Sequence, residues 1–330
     1  MDETGRKAEF SSIENPAQLP AVLDALDDLG ERATDFARAS RSVATLRAYR
    51  ADWSDFSAWC ESVGRERLPT EPETVGLYLA ARARELKVAT LRRRVASIAV
   101  ANKLVGGRLD TRHPAIADVL AGIRRELGAR ASPKNAISVD ELRAMLRKLP
   151  DTVSGIRDRA ILLIGFAGAF RRSELTALDL VDLNVNSRGV AITVRRSKTD
   201  QQGHGQTIGI PRSRKATCPV AALEAWLVRG NITAGPVFRP ISRHGHVSPL
   251  RLSDEALAGV LKLAAERIGL DPAKYAGHSL RRGFMTAASA AGADLAQIMK
   301  QSRHRSTSVA MTYIDEGRIF SNPASRAIGL

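Results

Sequence analysis

Between Val43 and Val63 the apolar residues Val43, Leu46, Tyr49, Trp53, Phe56, Trp59 and Val63 return at helical spacing. This predicts a helix over 41–63, stopped by Gly64, with its aromatic stripe packed as core rather than serving as a base-stacking platform. Pro69 and Pro72 mark a loop, and a second helix is predicted from Glu73 to Ala83. Thr90 is placed to cap a third, Leu91 to Val105, which Gly106-Gly107 ends. Pro114 introduces a fourth, Ala115 to Leu127. Upstream, Leu19, Val22, Leu23, Leu26 and Leu29 suit a short amphipathic helix, whereas residues 1–18 lack periodicity and read as a disordered acidic tail. Helices without strand signals make 19–127 an all-helical domain.

Residues 128–137, Gly-Ala-Arg-Ala-Ser-Pro-Lys-Asn-Ala-Ile, read as a linker. Ser138 and Glu141 form a capping-box signature that opens a second domain, 138–317. There Ile156 to Phe170 reads as a buried helix. Val190 to Val194 and Gln206 to Ile210 read as antiparallel strands around a Gly203-His-Gly205 turn. Residues 219–229, 254–268, 279–291 and 293–300 read as helices. The predicted class is mainly α: an all-helical N-terminal domain, then a mostly helical α+β domain with a small antiparallel sheet.

Charge changes the picture. The 330-residue chain carries a formal net charge of +15 and a pI near 10.5, which points to a polyanionic partner, most often nucleic acid. Residues 1–35 hold three Lys/Arg against nine Asp/Glu. Residues 36–130 hold eighteen against ten, and 131–330 hold twenty-nine against sixteen. Both predicted domains are therefore basic and the acidic tail stands apart. Arg47 and Arg50 lie off the apolar face of their helix. Arg92, Arg93 and Arg94 open the third helix either as a DNA contact or as a solvated face. Lys134 sits in a linker suited to lie over a phosphate backbone. The two cysteines, Cys60 and Cys218, have no metal-type spacing and read as buried thiols in a reducing compartment. No apolar run reaches membrane-spanning length and no signal peptide is seen, so the expected location is the cytoplasm, at the nucleoid. No clustered carboxylates and no phosphate-cradling glycine loop are seen, so neither metal nor cofactor is expected.

The chemistry concentrates in Ser302 to Ile314, which holds His304, two arginines and Tyr313; Val309, Met311 and Ile314 suggest partial burial. A tyrosine hydroxyl, with a pKa near ~10, attacks only with a base or a charge-neutralised electrophile. Cations for that task stand upstream in Gly168-Ala-Phe-Arg-Arg-Ser-Glu-Leu175, Arg195-Arg-Ser-Lys-Thr-Asp200 and Gly277-His-Ser-Leu-Arg-Arg-Gly283. The ordered set Arg, Lys, His-x-x-Arg, His, Tyr resembles the tyrosine site-specific recombinases, from about residue 20 to the end. Ala58-Trp-Cys60, Pro69-Thr-Glu-Pro72 and Val75 to Leu79 resemble the N-terminal domain of Cre-type members more than the shorter Xer type. His304 follows the commoner family pattern, where Cre-type members carry tryptophan.

The resemblance implies roles. Arg171 and Arg281 would clamp the non-bridging phosphate oxygens, with Arg172 and Arg282 pointing elsewhere, and the spacing of three would put Arg171 with Glu174, and His278 with Arg281, on one helical face. Glu174 would orient its neighbours, including the histidine, or form a helix salt bridge. Lys198 would protonate the departing 5′ oxygen, His278 would take the tyrosine proton and His304 would hydrogen-bond the phosphate. Tyr313 would form a 3′-phosphotyrosyl link, without ATP or metal. The implied partner is double-stranded DNA with inverted-repeat sites, bound as a dimer on one site and a homotetramer on two, with exchange through a Holliday junction. Gly317 is expected to break the last helix, so that 318–330, with Ile319, Phe320, Ala324, Ala327 and Ile328, docks in cis or on a neighbouring subunit. A type IB topoisomerase and a catalytically silent DNA-binding regulator are the alternatives.

Overall fold

The computed structural model describes residues 43–128, 134–195 and 205–318. The chain divides into two compact units, Met1–Ser132 and Pro133–Leu330. The expected acidic tail, the helix at 19–29, residues 129–133 of the linker, Lys198, and the segment 319–330 lie outside the described residues.

In the first unit, α1 (Val43–Ser62), α2 (Pro72–Arg82), α3 (Val88–Leu104) and α4 (Pro114–Leu127) enclose an aromatic and aliphatic core. Phe56 is fully buried, and its ring meets Tyr78 edge-on at 5.0 Å. The expected stripe holds as core through Phe56, with Trp53 and Trp59 packed against it, but Val63 at its end is 49% exposed. Helix α3 begins a turn-fraction earlier than Thr90 suggests, because the Leu91 amide already donates to Lys87 O at 3.0 Å. Helices α2 and α4 cross so closely that a Cβ on Gly76 would stand 2.3 Å from Ala115 O. Under this core, buried Asp52 accepts two bonds from Arg93 at 2.7 and 2.9 Å, and Arg94 reaches both Asp55 and the Tyr78 hydroxyl.

The second unit begins at a Ser138–Glu141 capping box on α5 (Val139–Arg147), as the sequence predicts. Helix α6 (Val153–Ala167), buried through Ala160 to Gly165, is its axis, and α8 (Pro219–Arg229), α9 (Asp254–Glu266) and α10 (His278–Ala290) pack on it. Between α6 and α8 come the short α7 (Arg172–Ala177) and a three-stranded antiparallel sheet in order β1 (Leu183–Asn186), β2 (Gly189–Val194), β3 (Gln206–Pro211). Ile192 pairs with Leu183 on one side and Ile208 on the other. Val190, Ile192 and Val194 turn one face into the core. Strand β1 was not predicted: it has four residues, two of them Asn, and is mostly exposed. Helices α11 (Leu295–Ser302) and α12 (Thr307–Arg318) close the unit against α10 around buried Met285, Ile298 and Ala310. Helix α12 is described through Gly317 to Arg318, one residue past the expected break. The segment is partly buried, as expected, with Ala310 in the core and Met311 40% exposed.

Candidate active site

The site is assembled where three chain segments converge: the turn after α6, the first turns of α10, and the junction of α11 with α12. Helix α6 ends at Gly168, whose Cβ position lies 2.2 Å from the Phe170 ring, so only glycine lets that ring fold back. Ala169 then takes a left-handed conformation, φ 46°, which turns its carbonyl inward. Arg171 follows in extended conformation as the N-cap of α7, with Glu174 at the third helical position. They therefore do not share a helical face as the spacing suggested. Instead the Glu174 carboxylate reaches back and accepts from the Arg171 amide at 2.9 Å.

Glu174, with 1% of its side chain exposed, is held by two guanidiniums. Arg171 donates to Oε1 at 2.5 Å and Arg303 to Oε2 at 2.8 Å. Burial alone would raise its pKa; the charges of Arg303 and Arg171 overcome burial and hold the carboxyl below its ordinary range. The side-chain partners of this carboxylate are thus arginines.

Arg281 is buried on α10. It donates to Ala169 O at 2.7 Å, and its other terminal nitrogen stands 3.2 Å from Nδ1 of His304. Burial, followed by the charge of Arg171, pushes its pKa down to about 9, so it stays protonated near neutral pH. Burial and the neighbouring Arg281 and Arg171 push His304 down to about 4, so its ring is neutral there. Ser302 Oγ lies 2.9 Å from Nδ1 and fixes the ring. The His304 and Tyr313 ring centroids are 6.0 Å apart, and Tyr313 is half-buried at the mouth of this cluster. Three guanidiniums against one carboxylate leave positive charge in excess within a shielded space. A bound oxyanion would relieve that repulsion.

The other expected residues fall out differently. His278 starts α10 and is exposed, while Arg281 one turn on is buried, so the two sit in different surroundings. Lys198 lies outside the described residues. Arg172 pairs with Asp254 at 3.2 Å, away from the cluster as expected. Arg282 does not point elsewhere: its guanidinium carbon lies 5.7 Å from the Tyr313 ring centroid, and it donates to Lys134 O at 2.7 Å. Tyr275, three residues before His278 in the sequence, is buried and donates to Glu141 at 3.0 Å; burial and that bond raise its pKa. Lys134 is exposed and its amine rests on Ala273 O.

In the first unit, Arg47, Arg50 and Arg92 are exposed. Arg93 and Arg94 are engaged by Asp52, Asp55 and Tyr78, so Arg94 in particular is an interior cation rather than a surface contact. Sequence reading missed a shallow groove that joins Arg92 to Arg112, Arg124 and Arg125. It also gave no role to Arg303, whose position between two polar residues carries no periodic signal. Among the described residues no group of three or more His, Cys, Asp or Glu could hold a metal ion, and no helix is long and apolar enough to cross a membrane.

Residues 135–318 match the model of the phage integrase family. An integrase/recombinase XerD homolog of Selenomonas ruminantium is 41% identical over 292 residues, covering 86% of this chain and 85% of that protein. The tyrosine recombinase XerC of Syntrophus aciditrophicus is 28% identical over 286 residues, covering 82% and 87%. These relatives are of the Xer type and extend well into the N-terminal unit, which the sequence reading had set nearer to Cre-type members. Among solved structures, a Tn1549 transposon integrase in complex with transposon right end DNA superposes with a TM-score of 0.59 at 14% identity, covering 90% of this chain and 98% of that one. That likeness shows a shared fold. Family match, whole-length relatives and fold together establish that the chain belongs to the phage integrase family and is a tyrosine recombinase.

Proposed function

We propose that the chain is a site-specific DNA recombinase that works through a 3′-phosphotyrosyl intermediate formed by Tyr313. The observation that carries this reading is the buried cluster of Arg171, Arg281 and neutral His304, opening beside the Tyr313 ring. Phosphoryl transfer needs positioning and charge neutralisation more than covalent help. Arg171 and Arg281 face the non-bridging oxygens, and His304 adds a hydrogen bond. The Tyr313 oxygen forms a bond to phosphorus as the bond to the 5′ oxygen breaks. His278 takes the phenolic proton, and Lys198 supplies one to the leaving oxygen. Such proton transfers contribute about 10²–10⁴-fold each.

The protein–DNA ester keeps the energy of the broken bond. A 5′-hydroxyl from a partner strand reverses the step, so exchange proceeds through a Holliday junction without ATP, metal or cofactor. The DNA partner is a duplex with inverted-repeat sites, gripped by Arg47, Arg50, Arg92 and the groove beside Arg92, with Lys134 on the strap. One site takes a dimer and two sites a homotetramer. Residues 318–330 dock in trans to join the subunits.

The test uses a duplex selected by the wild-type protein from a randomised pool. Two copies on one plasmid should yield resolved circles, and a branched intermediate should be trapped on short duplexes. Tyr313→Phe should bind the DNA and yield neither. Relaxation of a plasmid lacking the site, with no circles from the plasmid carrying it, would refute the recombinase reading in favour of a topoisomerase.

A further inference from the structure

Arg303 is a buried cation of the second unit that the proposed mechanism does not use. Its side chain is 1% exposed. One terminal nitrogen donates to Gly168 O at 3.0 Å and Gln301 O at 2.8 Å. The other donates to Ala169 O at 3.0 Å and Glu174 at 2.8 Å. The guanidinium carbon stacks 4.9 Å from the Phe170 ring centroid.

Stability alone does not favour an arginine here. The backbone of Arg303 is left-handed, φ 58°, a conformation that glycine adopts freely and arginine at a cost. Its Nε is buried without a hydrogen-bond partner among the described residues. What the side chain does is join three parts of the site. It shares the Ala169 carbonyl with Arg281. It shares the Glu174 carboxylate with Arg171. Its own left-handed backbone ends α11 and sends the next residue, His304, back toward Arg281.

We infer that Arg303 is a positioning residue for the recombination reaction: its buried guanidinium locks the Gly168–Ala169 turn and Glu174, and through them sets the two phosphate-binding arginines and His304. The inference rests on the recombinase reading. It adds a third arginine that touches no substrate, together with a planar, forked donor set that lysine cannot replace.

The test compares the full-length wild type with Arg303→Gly and Arg303→Lys on the same selected duplex, nicked so that the covalent adduct accumulates. Arg303→Gly suits the backbone and removes only the side chain. It should bind DNA as the wild type does, while the single-turnover adduct rate at saturating DNA falls by about 10²-fold, as expected when clamping groups are misplaced by about 1 Å. Methylguanidinium, at concentrations too low to unfold the protein, should restore part of that rate. A folding defect would not respond to it. The acid limb of the rate–pH profile should move to higher pH, because one cation near His304 is gone. Arg303→Lys keeps the charge and should still lose rate.

Arg303→Gly with wild-type rate, or Arg303→Lys with wild-type rate, would overturn the inference. So would a loss of rate matched by the unfolded fraction and unmoved by methylguanidinium. Should Arg303→Gly not fold, Arg303→Lys carries the test; failure of both to fold would make Arg303 a folding residue only. Tyr313→Phe run alongside separates the two readings: adducts from that variant would sink the nucleophile assignment and leave the Arg303 comparison standing.

Discussion

Replacing Glu174 by glutamine should destabilise the second unit heavily, and the loss should depend on pH. The carboxylate is almost wholly buried and binds Arg303 at 2.8 Å and Arg171 at 2.5 Å, the former also fully buried. Removing one partner of a buried ion pair costs about 3–5 kcal/mol, because the charge left behind is uncompensated. Glutamine keeps one acceptor but turns an N–H group toward guanidinium N–H groups, so the full range applies. For a unit of about 200 residues, each kcal/mol moves the midpoint by about 2–4 °C, which predicts a drop of about 6–20 °C in the melting of that unit. Calorimetry on the full chain should show one transition lowered. The folded pKa of Glu174 is depressed, so its contribution is complete above the unfolded carboxylate value and fades as pH falls through the lower folded value. The gap between wild type and variant should therefore be widest near neutral pH and close in strong acid. A loss under ~1 kcal/mol at neutral pH would refute the reasoning about the buried pair. So would a gap that does not narrow on acidification.

Tyr275→Phe should retain adduct formation and lose only about 1 kcal/mol in urea unfolding, because the hydroxyl bonds Glu141 and sits in the core. Loss of adducts with Tyr313 intact would contradict the choice of nucleophile. Gly283→Ala should cost about 1–3 kcal/mol in the same assay, since a Cβ there would stand 2.1 Å from Ile137 O and the strap at 134–137 would have to shift. Lys198→Ala should lose cleavage on ordinary DNA and regain much of it on a 5′-bridging phosphorothiolate, whose leaving group needs no proton. Equal defects on both substrates would mean that Lys198 only binds phosphate.

Long periodic segments were legible in the sequence, because one face of each is bought into a core by repetition of the same spacing. Helix α8 matches its predicted span, and the capping box at Ser138 is where the pattern put it. Features decided by tertiary contact were not. Gly317 is a helix breaker by propensity, at about 1 kcal/mol relative to alanine, yet α12 carries it while packed on α10. Thr90 has the chemistry of a cap, but the turn had already closed at Lys87. The ordered cations and the tyrosine were readable as a motif, and Arg171, Arg281, His304 and Tyr313 do converge. What the motif could not convey is which neighbour of each arginine pair turns inward. Arg282 lies over the Tyr313 ring, and Arg303 supports the site from beneath. Both depend on a left-handed turn or a helix crossing that no local pattern encodes.

The central claim is that Tyr313 becomes covalently joined to a 3′ phosphate. The most direct measurement is to trap the adduct on a nicked duplex, digest protein and DNA, and sequence the modified peptide by mass spectrometry. The account predicts a single nucleotide-bearing peptide spanning Tyr313, with the phosphate joined to the 3′ side and a free 5′-hydroxyl on the released strand. A linkage on Tyr275 or any other residue, or a 5′-phosphate on the released strand, would contradict it.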